Sequence, residues 1–304
     1  MEENNSNIIE KLQILDPVWD SLNLAATEAK FRDLLPDAQR LMGTDRVYLI
    51  ELLTLIARAE ALLSKIPEAL ETLKIAEKFL SNQEVVYPVS AKIRWLLERG
   101  RIYILQKTPS QARLLFAEAL NLAITSGEDY YAVDVAQMMA MVEPQKVQQE
   151  WIVRAIGIAE NSSSLRTKEW LGSLYTTLGW KRFDLRQYEK SLESFKTALS
   201  HFKVHGTKRE IFVARWSTGK VLRAMGKTEE ALSIQQALLA ELGVDGLRDG
   251  RLYEEIAECL QTMKREKEAQ LYFEFAYREL SKDEWVADNQ PVMLKRMKSL
   301  GQVK

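Results

Sequence analysis

Small residues recur at three fixed offsets along most of this chain, and few folds can use such a pattern. Gly179 is followed twelve residues later by Ser191 and nineteen residues later by Ala198, with Phe195 just ahead of the last. Gly100, Ala112 and Ala119 keep the same spacing with Phe116; Ala57, Ala69 and Ala76 keep it with Leu73; Ala257, Ala269 and Ala276 keep it with Phe273. Gly219 and Ala231 keep it until Leu238 replaces the third small residue, and Ala140 and Ala159 keep it around the large Ile152. The first small residues stand at 57, 100, 140, 179, 219 and 257, in steps of 43, 40, 39, 40 and 38. Two helices of about 14 residues, joined by a short turn, cross closely only where a side chain is nearly absent and large neighbours fill the flanks. One such pair buries too little alone, so the pairs must stack. The spacing predicts six helix pairs in register.

The turns agree with this reading. SKIPEA, QKTPSQA, DLRQYEKS, MGKTEEA and MKREKEA each fall between the two helices of a repeat. Gly127, Gly206 and Gly243 follow second helices, where left-handed C-caps are expected. With 13 Gly and 7 Pro in 304 residues, too few turn formers exist for an all-β fold. Residues 7 to 42 read as two helices broken at Pro17, with Pro36 a second break point, and residues 283 to 300 as one terminal helix after Asn289-Gln290-Pro291. The organisation expected is an N-terminal helical region over 1–46, six repeats over 47–282, and a polar capping helix over 283–304, forming one elongated domain.

At this spacing the repeat resembles the tetratricopeptide repeat, with small residues at positions 8, 20 and 27 and an aromatic near 24. Tyr103, Leu222 and Leu260 fill position 11, whereas Glu60 and Arg182 depart from it. A period near 40 implies longer helices or longer loops than the usual repeat. The resemblance implies an all-α, right-handed superhelical solenoid of about six helix pairs, flanked by N-terminal helices and a C-terminal capping helix.

Chemistry has few candidates. His201 and His205 could share a helix face as half of a zinc arrangement, but no third histidine exists, so a helix C-terminus is the simpler reading. GKT at 226–228 lacks the upstream glycine of a phosphate loop, since Val221 stands there. GVDGLRDG at 243–250 lacks the oxygen ligands of a calcium loop and reads as an inter-repeat connection. Glu254 and Glu258 read as a solvated helix face, and Cys259 as a buried inert thiol. No catalytic residues, no metal site and no cofactor are expected, and the chain is not read as an enzyme. A net charge of −1 argues against nucleic acid and anionic membrane as partners. The acidic, polar N-terminus does not read as a signal peptide, the single cysteine suits a reducing compartment, and no apolar run approaches the roughly 20 residues of a membrane span. A cytoplasmic protein is expected.

The resemblance implies that first-helix positions 2, 5, 9 and 12 line a concave groove. Here they include Arg58, Arg94 and Arg101, then Trp180 and Phe183, then Trp216, Lys220 and Arg223. Tryptophan beside arginine is the composition of binding hot spots. The family's carboxylate clamp, which needs asparagines at positions 6 and 9, is not matched: Arg58, Glu98, Arg101, Met138, Thr177 and Trp180 stand there. The expectation is a scaffold or adaptor that holds a protein or peptide segment bearing acidic and apolar side chains. The alternatives are a peptide-responsive regulatory sensor of the bacterial repeat type, or an RNA-binding helical-repeat protein.

Overall fold

A computed structural model describes residues 15, 19–20, 23–40, 46–81, 89–244 and 246–303. They fall into two compact units, Met1–Lys168 and Glu169–Lys304. In the first unit, α1 (Leu24–Arg40) precedes three helix pairs and the short α8 (Leu165–Lys168). The pairs are α2 (Arg46–Leu62) with α3 (Ile66–Leu80), α4 (Val89–Leu105) with α5 (Pro109–Ser126), and α6 (Asp129–Val142) with α7 (Gln145–Asn161). In the second unit, α9 (Trp170–Asp184) pairs with α10 (Tyr188–His205), α11 (Lys208–Ala224) with α12 (Thr228–Val244), and α13 (Gly250–Thr262) with α14 (Glu266–Leu280). That unit ends with α15 (Glu284–Asn289) and α16 (Pro291–Leu300). All regular structure among the described residues is helical.

The six pairs coincide with the six expected repeats, and every residue of the small-residue comb is buried. The crossings show why. A Cβ on Gly100 would stand 2.3 Å from the Phe116 ring, and one on Gly179 would stand 2.7 Å from Phe195. The missing side chain of the first helix is therefore the space that the large residue of the second helix fills. Repeat five solves the same crossing with a polar group: Gln235 is fully buried opposite Gly219 and donates to the Trp216 carbonyl at 3.0 Å. In repeat four the Ser191 hydroxyl donates to the Gly179 carbonyl at 2.8 Å. Helix length accounts for the long period. Second helices run from 15 to 18 residues, above the 14 expected from spacing.

Five repeats end the first helix with one turn. Ser64, Lys107, Arg186, Gly226 and Lys264 have φ of 62°, 60°, 58°, 80° and 61°. In each, the next residue's N–H reaches back to the carbonyl five residues earlier, as from Lys65 to Glu60 and from Lys227 to Leu222. This closes the orphan carbonyls of the helix end. The third repeat uses Glu143-Pro144 instead, where the proline starts a new direction.

Several expectations need correction. Gly127 is a left-handed cap, but Gly206 is extended and Gly243 lies inside α12. Gly206 has no left-handed role because the next helix starts at once: Thr207 accepts from the Glu210 N–H at 3.2 Å while the Glu210 carboxylate accepts from the Thr207 N–H at 2.8 Å. That capping box was legible as Thr-Lys-Arg-Glu. Pro36 does not break α1 but sits within it. Residues 283–300 form two helices, not one, because Asp283 caps the first and Gln290-Pro291 begins the second. The expected helix ahead of Pro17 lies outside the described residues.

Candidate functional site

The eight predicted site residues stand on first helices and fall into one cluster in each unit. In the first unit all three arginines meet carboxylates of neighbouring repeats. Arg58 on α2 reaches Glu98 on α4 at 3.9 Å and stacks on Trp19, its guanidinium 4.9 Å from the ring. Arg94 on α4 lies 4.0 Å from Glu51 on α2 and 3.5 Å from the Tyr131 hydroxyl on α6. Arg101 on α4 bonds Glu98 and grips both oxygens of Asp134 on α6, at 2.5 and 2.7 Å. Burial works against the charge on Arg101, yet the Asp134 and Glu98 carboxylates outweigh it and hold the guanidinium more firmly protonated.

In the second unit, Trp216, Lys220 and Arg223 share one face of α11 by their spacing. Glu255 on α13 is buried and accepts from Lys220 Nζ at 2.5 Å and from Arg223 Nε at 2.9 Å. Burial pushes the Glu255 carboxyl up, but Arg223 and Lys220 outweigh it and hold it below the ordinary glutamate range. The network continues through Arg251, which bonds Glu254 at 3.1 Å and Gln290 at 2.5 Å, to Arg296, which bonds Glu258. Glu254 and Glu258 are therefore not a solvated face. They turn toward the arginines that dock α15 and α16, and burial raises the Glu254 pKa.

The aromatic residues form a shelf beside this network. Trp180 on α9 packs its ring against Phe195 at 5.0 Å, Phe183 at 5.6 Å and Trp216 at 5.8 Å. The buried side of Trp180 thus completes the α9–α10 crossing, while the residue stays half-buried. Trp216 donates its indole N–H to the Arg251 carbonyl at 3.3 Å, and the Lys220 ammonium stands 5.2 Å from its ring. The indole N–H of Trp180 makes no hydrogen bond among the described residues, and the residue as a whole is half-buried.

The acidic partners were the part that sequence reasoning missed. A signal existed: a cation at position 9 meets a carboxylate at position 6 of the next repeat twice, as Arg58 with Glu98 and Lys220 with Glu255. Where the resemblance expects asparagines for a ligand, these positions hold charges that satisfy one another. Elsewhere, His201 stacks on Tyr175 at 5.9 Å, and His205 is exposed at the end of α10. Cys259 is fully buried, and burial pushes its thiol up to about 12. Among the described residues no His, Cys, Asp and Glu group of three or more could hold a metal ion, and no helix is long and apolar enough to cross a membrane.

No protein-family profile matches the chain, and no curated protein is similar to it in sequence. Solved structures are similar in fold. RapI, in its apo form, superposes with a TM-score of 0.71 at 12% identity, covering 96% of this chain and 85% of that one. The quorum sensor NprR from B. thuringiensis, also apo, gives 0.61 at 13% identity, over 98% of this chain and 82% of that one. BtubC from P. vanneervenii gives 0.60 at 15% identity, over 74% and 94%. With the buried comb, these likenesses establish that the chain has a tetratricopeptide-like fold, an all-α helical-repeat solenoid.

Proposed function

We propose that the chain is a non-enzymatic scaffold or adaptor that binds a protein or peptide segment on the first-helix face of its second unit. The observation that carries the reading is the half-buried shelf of Trp180, Phe183 and Trp216, whose rings pack on one another. Large aromatic surface held rigid by packing is the usual source of binding energy at protein interfaces. The fold supports the same reading, because a Rap protein of related fold was solved in complex with Competence and Sporulation Factor. Arg58, Arg94 and Arg101, each held by carboxylates of its own unit, would serve as framework for their repeats.

The test is selection from a displayed random-peptide library, followed by affinity measurements on the wild type and on Trp180→Leu. Leucine keeps an apolar contact on Phe195 but removes the indole. Selected peptides should bind the variant at least roughly tenfold more weakly, the size of one lost hot-spot anchor, while its melting midpoint stays near the wild type. Equal affinity for both proteins would remove the shelf from the reading.

A regulatory sensor is the second reading, favoured by the likeness to RapI and to the quorum sensor NprR. There, a bound segment would act by changing the ion pairs between successive first helices. A ligand-dependent change in hydrogen exchange along α4 and α11, away from the contact itself, would support it.

A further inference from the structure

We infer that the segment held on this shelf carries an aromatic or large aliphatic side chain next to a carboxylate, and that Lys220 is the residue that reads the carboxylate. This rests on the proposed segment binding and narrows its chemistry. The charges decide it. Four cations, Lys220, Arg223, Arg251 and Arg296, share three carboxylates, Glu254, Glu255 and Glu258, and Lys220 acts on Glu254 as well as on Glu255. Four cations less three anions leave one positive charge in the network beside the shelf.

Geometry assigns that charge to Lys220 rather than Arg223. Arg223 gives Nε and Nη2 to Glu255, at 2.9 and 3.1 Å, so its planar fork is fixed on that partner. Lys220 gives a single hydrogen bond, to Glu255, although an ammonium has three N–H donors. Its side chain retains 23% of its exposure and its Nζ stands 5.2 Å from the Trp216 ring, at the border between the network and the shelf. A carboxylate arriving there takes one of the remaining donors without breaking the Glu255 bond. Trp216 is also in contact with Trp180, whose indole N–H makes no hydrogen bond among the described residues and, as a donor only, would pair with a carbonyl of the segment. An apolar side chain on the shelf beside an acid at its edge satisfies all three groups together. A nucleic acid would need more than one uncompensated cation, since each phosphate contact calls for its own.

The experiment uses the full chain and an array of peptides in pairs, each pair differing at one central dipeptide, Trp-Asp against Trp-Asn. Wild type, Lys220→Met and Lys220→Arg are measured, with homopolymeric RNA as a competitor. The wild type should bind the Asp member roughly five- to tenfold more tightly than the Asn member, the scale of a half-exposed ion pair. Lys220→Met should erase the difference and Lys220→Arg should keep it. The ratio of two affinities on one sample does not depend on how much of it is folded, so lost stability cannot mimic the result. If peptides bind but the wild type shows no Asp preference, or Lys220→Met retains one, this inference falls and segment binding stands. If no peptide binds, both fall. RNA that binds and displaces the peptides assigns the surface to nucleic acid and overturns the inference.

Discussion

Removing the Glu255 carboxylate is the sharpest perturbation of the second unit. Glu255 is 1% exposed and accepts three hydrogen bonds, from Lys220 Nζ at 2.5 Å and from Arg223 Nε and Nη2 at 2.9 and 3.1 Å. In Glu255→Gln the charge is lost, and the amide must turn one N–H toward a cation. Breaking a buried pair from one side costs about 3–5 kcal/mol. Lys220 and Arg223 keep 23 and 24% of their side-chain exposure, so water solvates the orphaned cations in part. About 2–3 kcal/mol is therefore expected. Equilibrium denaturation should show a lower midpoint with an unchanged slope, since the surface exposed on unfolding is the same. The triple variant Glu255→Met, Lys220→Met, Arg223→Met should recover most of the loss, because apolar residues of similar volume often replace a buried ion pair at little cost. A loss under about 1 kcal/mol in Glu255→Gln would mean that the pair behaves as a solvated surface contact, and the coupling of α11 to α13 argued above would be wrong.

Lys107→Gly should gain about 0.5–1 kcal/mol, because a left-handed φ of 60° strains a side chain and glycine removes that strain. Gly226→Ala, at φ 80°, should lose about 1 kcal/mol by the same reasoning, which thermal melts of the two variants would check. Glu255 has a lowered folded pKa, so its contribution is present above the ordinary glutamate value of 4.5 and is lost as pH falls through the folded value. The gap between wild type and Glu255→Gln should accordingly shrink on acidification and stay constant toward neutral pH. Glu60, raised by burial, has the opposite sign: wild type should gain stability as pH falls through its folded value toward 4.5, a gain that Glu60→Gln lacks.

The repeat was legible because its cause is local. Gly100 and Phe116, or Gly179 and Phe195, sit sixteen residues apart in one helix pair, so a one-dimensional pattern records a three-dimensional crossing. The turns were legible for the same reason. The charged ladder was not, because it joins different repeats: Arg101 finds Asp134, and Lys220 finds Glu255, 33 and 35 residues away. Reading the cations alone suggested an open basic face; reading each against the next first helix shows partners already in place. Charged residues stand at position 11 in three repeats, Glu60, Glu143 and Arg182, and Glu143 is buried and receives Arg113 at 2.7 Å. Glu60 is buried and receives Arg32 from α1, whereas Arg182 donates to Ser194 Oγ at 2.7 Å within its own repeat. Gly206 misled because glycine after a helix has more than one use, and the capping box beginning at Thr207 overrode the left-handed cap.

Paired helices of this fold meet where a side chain is missing and a large one takes its place. A double-mutant cycle on Gly100→Ala and Phe116→Leu measures it. The added methyl in Gly100→Ala meets the Phe116 ring at 2.3 Å, an overpacking that costs about 1–3 kcal/mol against the gain of about 1 kcal/mol from replacing a helical glycine. Leucine at 116 reproduces the Ala57 and Leu73 solution of the first repeat, so the double variant should be more stable than the sum of the singles by about 1 kcal/mol or more. Strict additivity would show that the two side chains do not share this space, and the crossing would need another explanation.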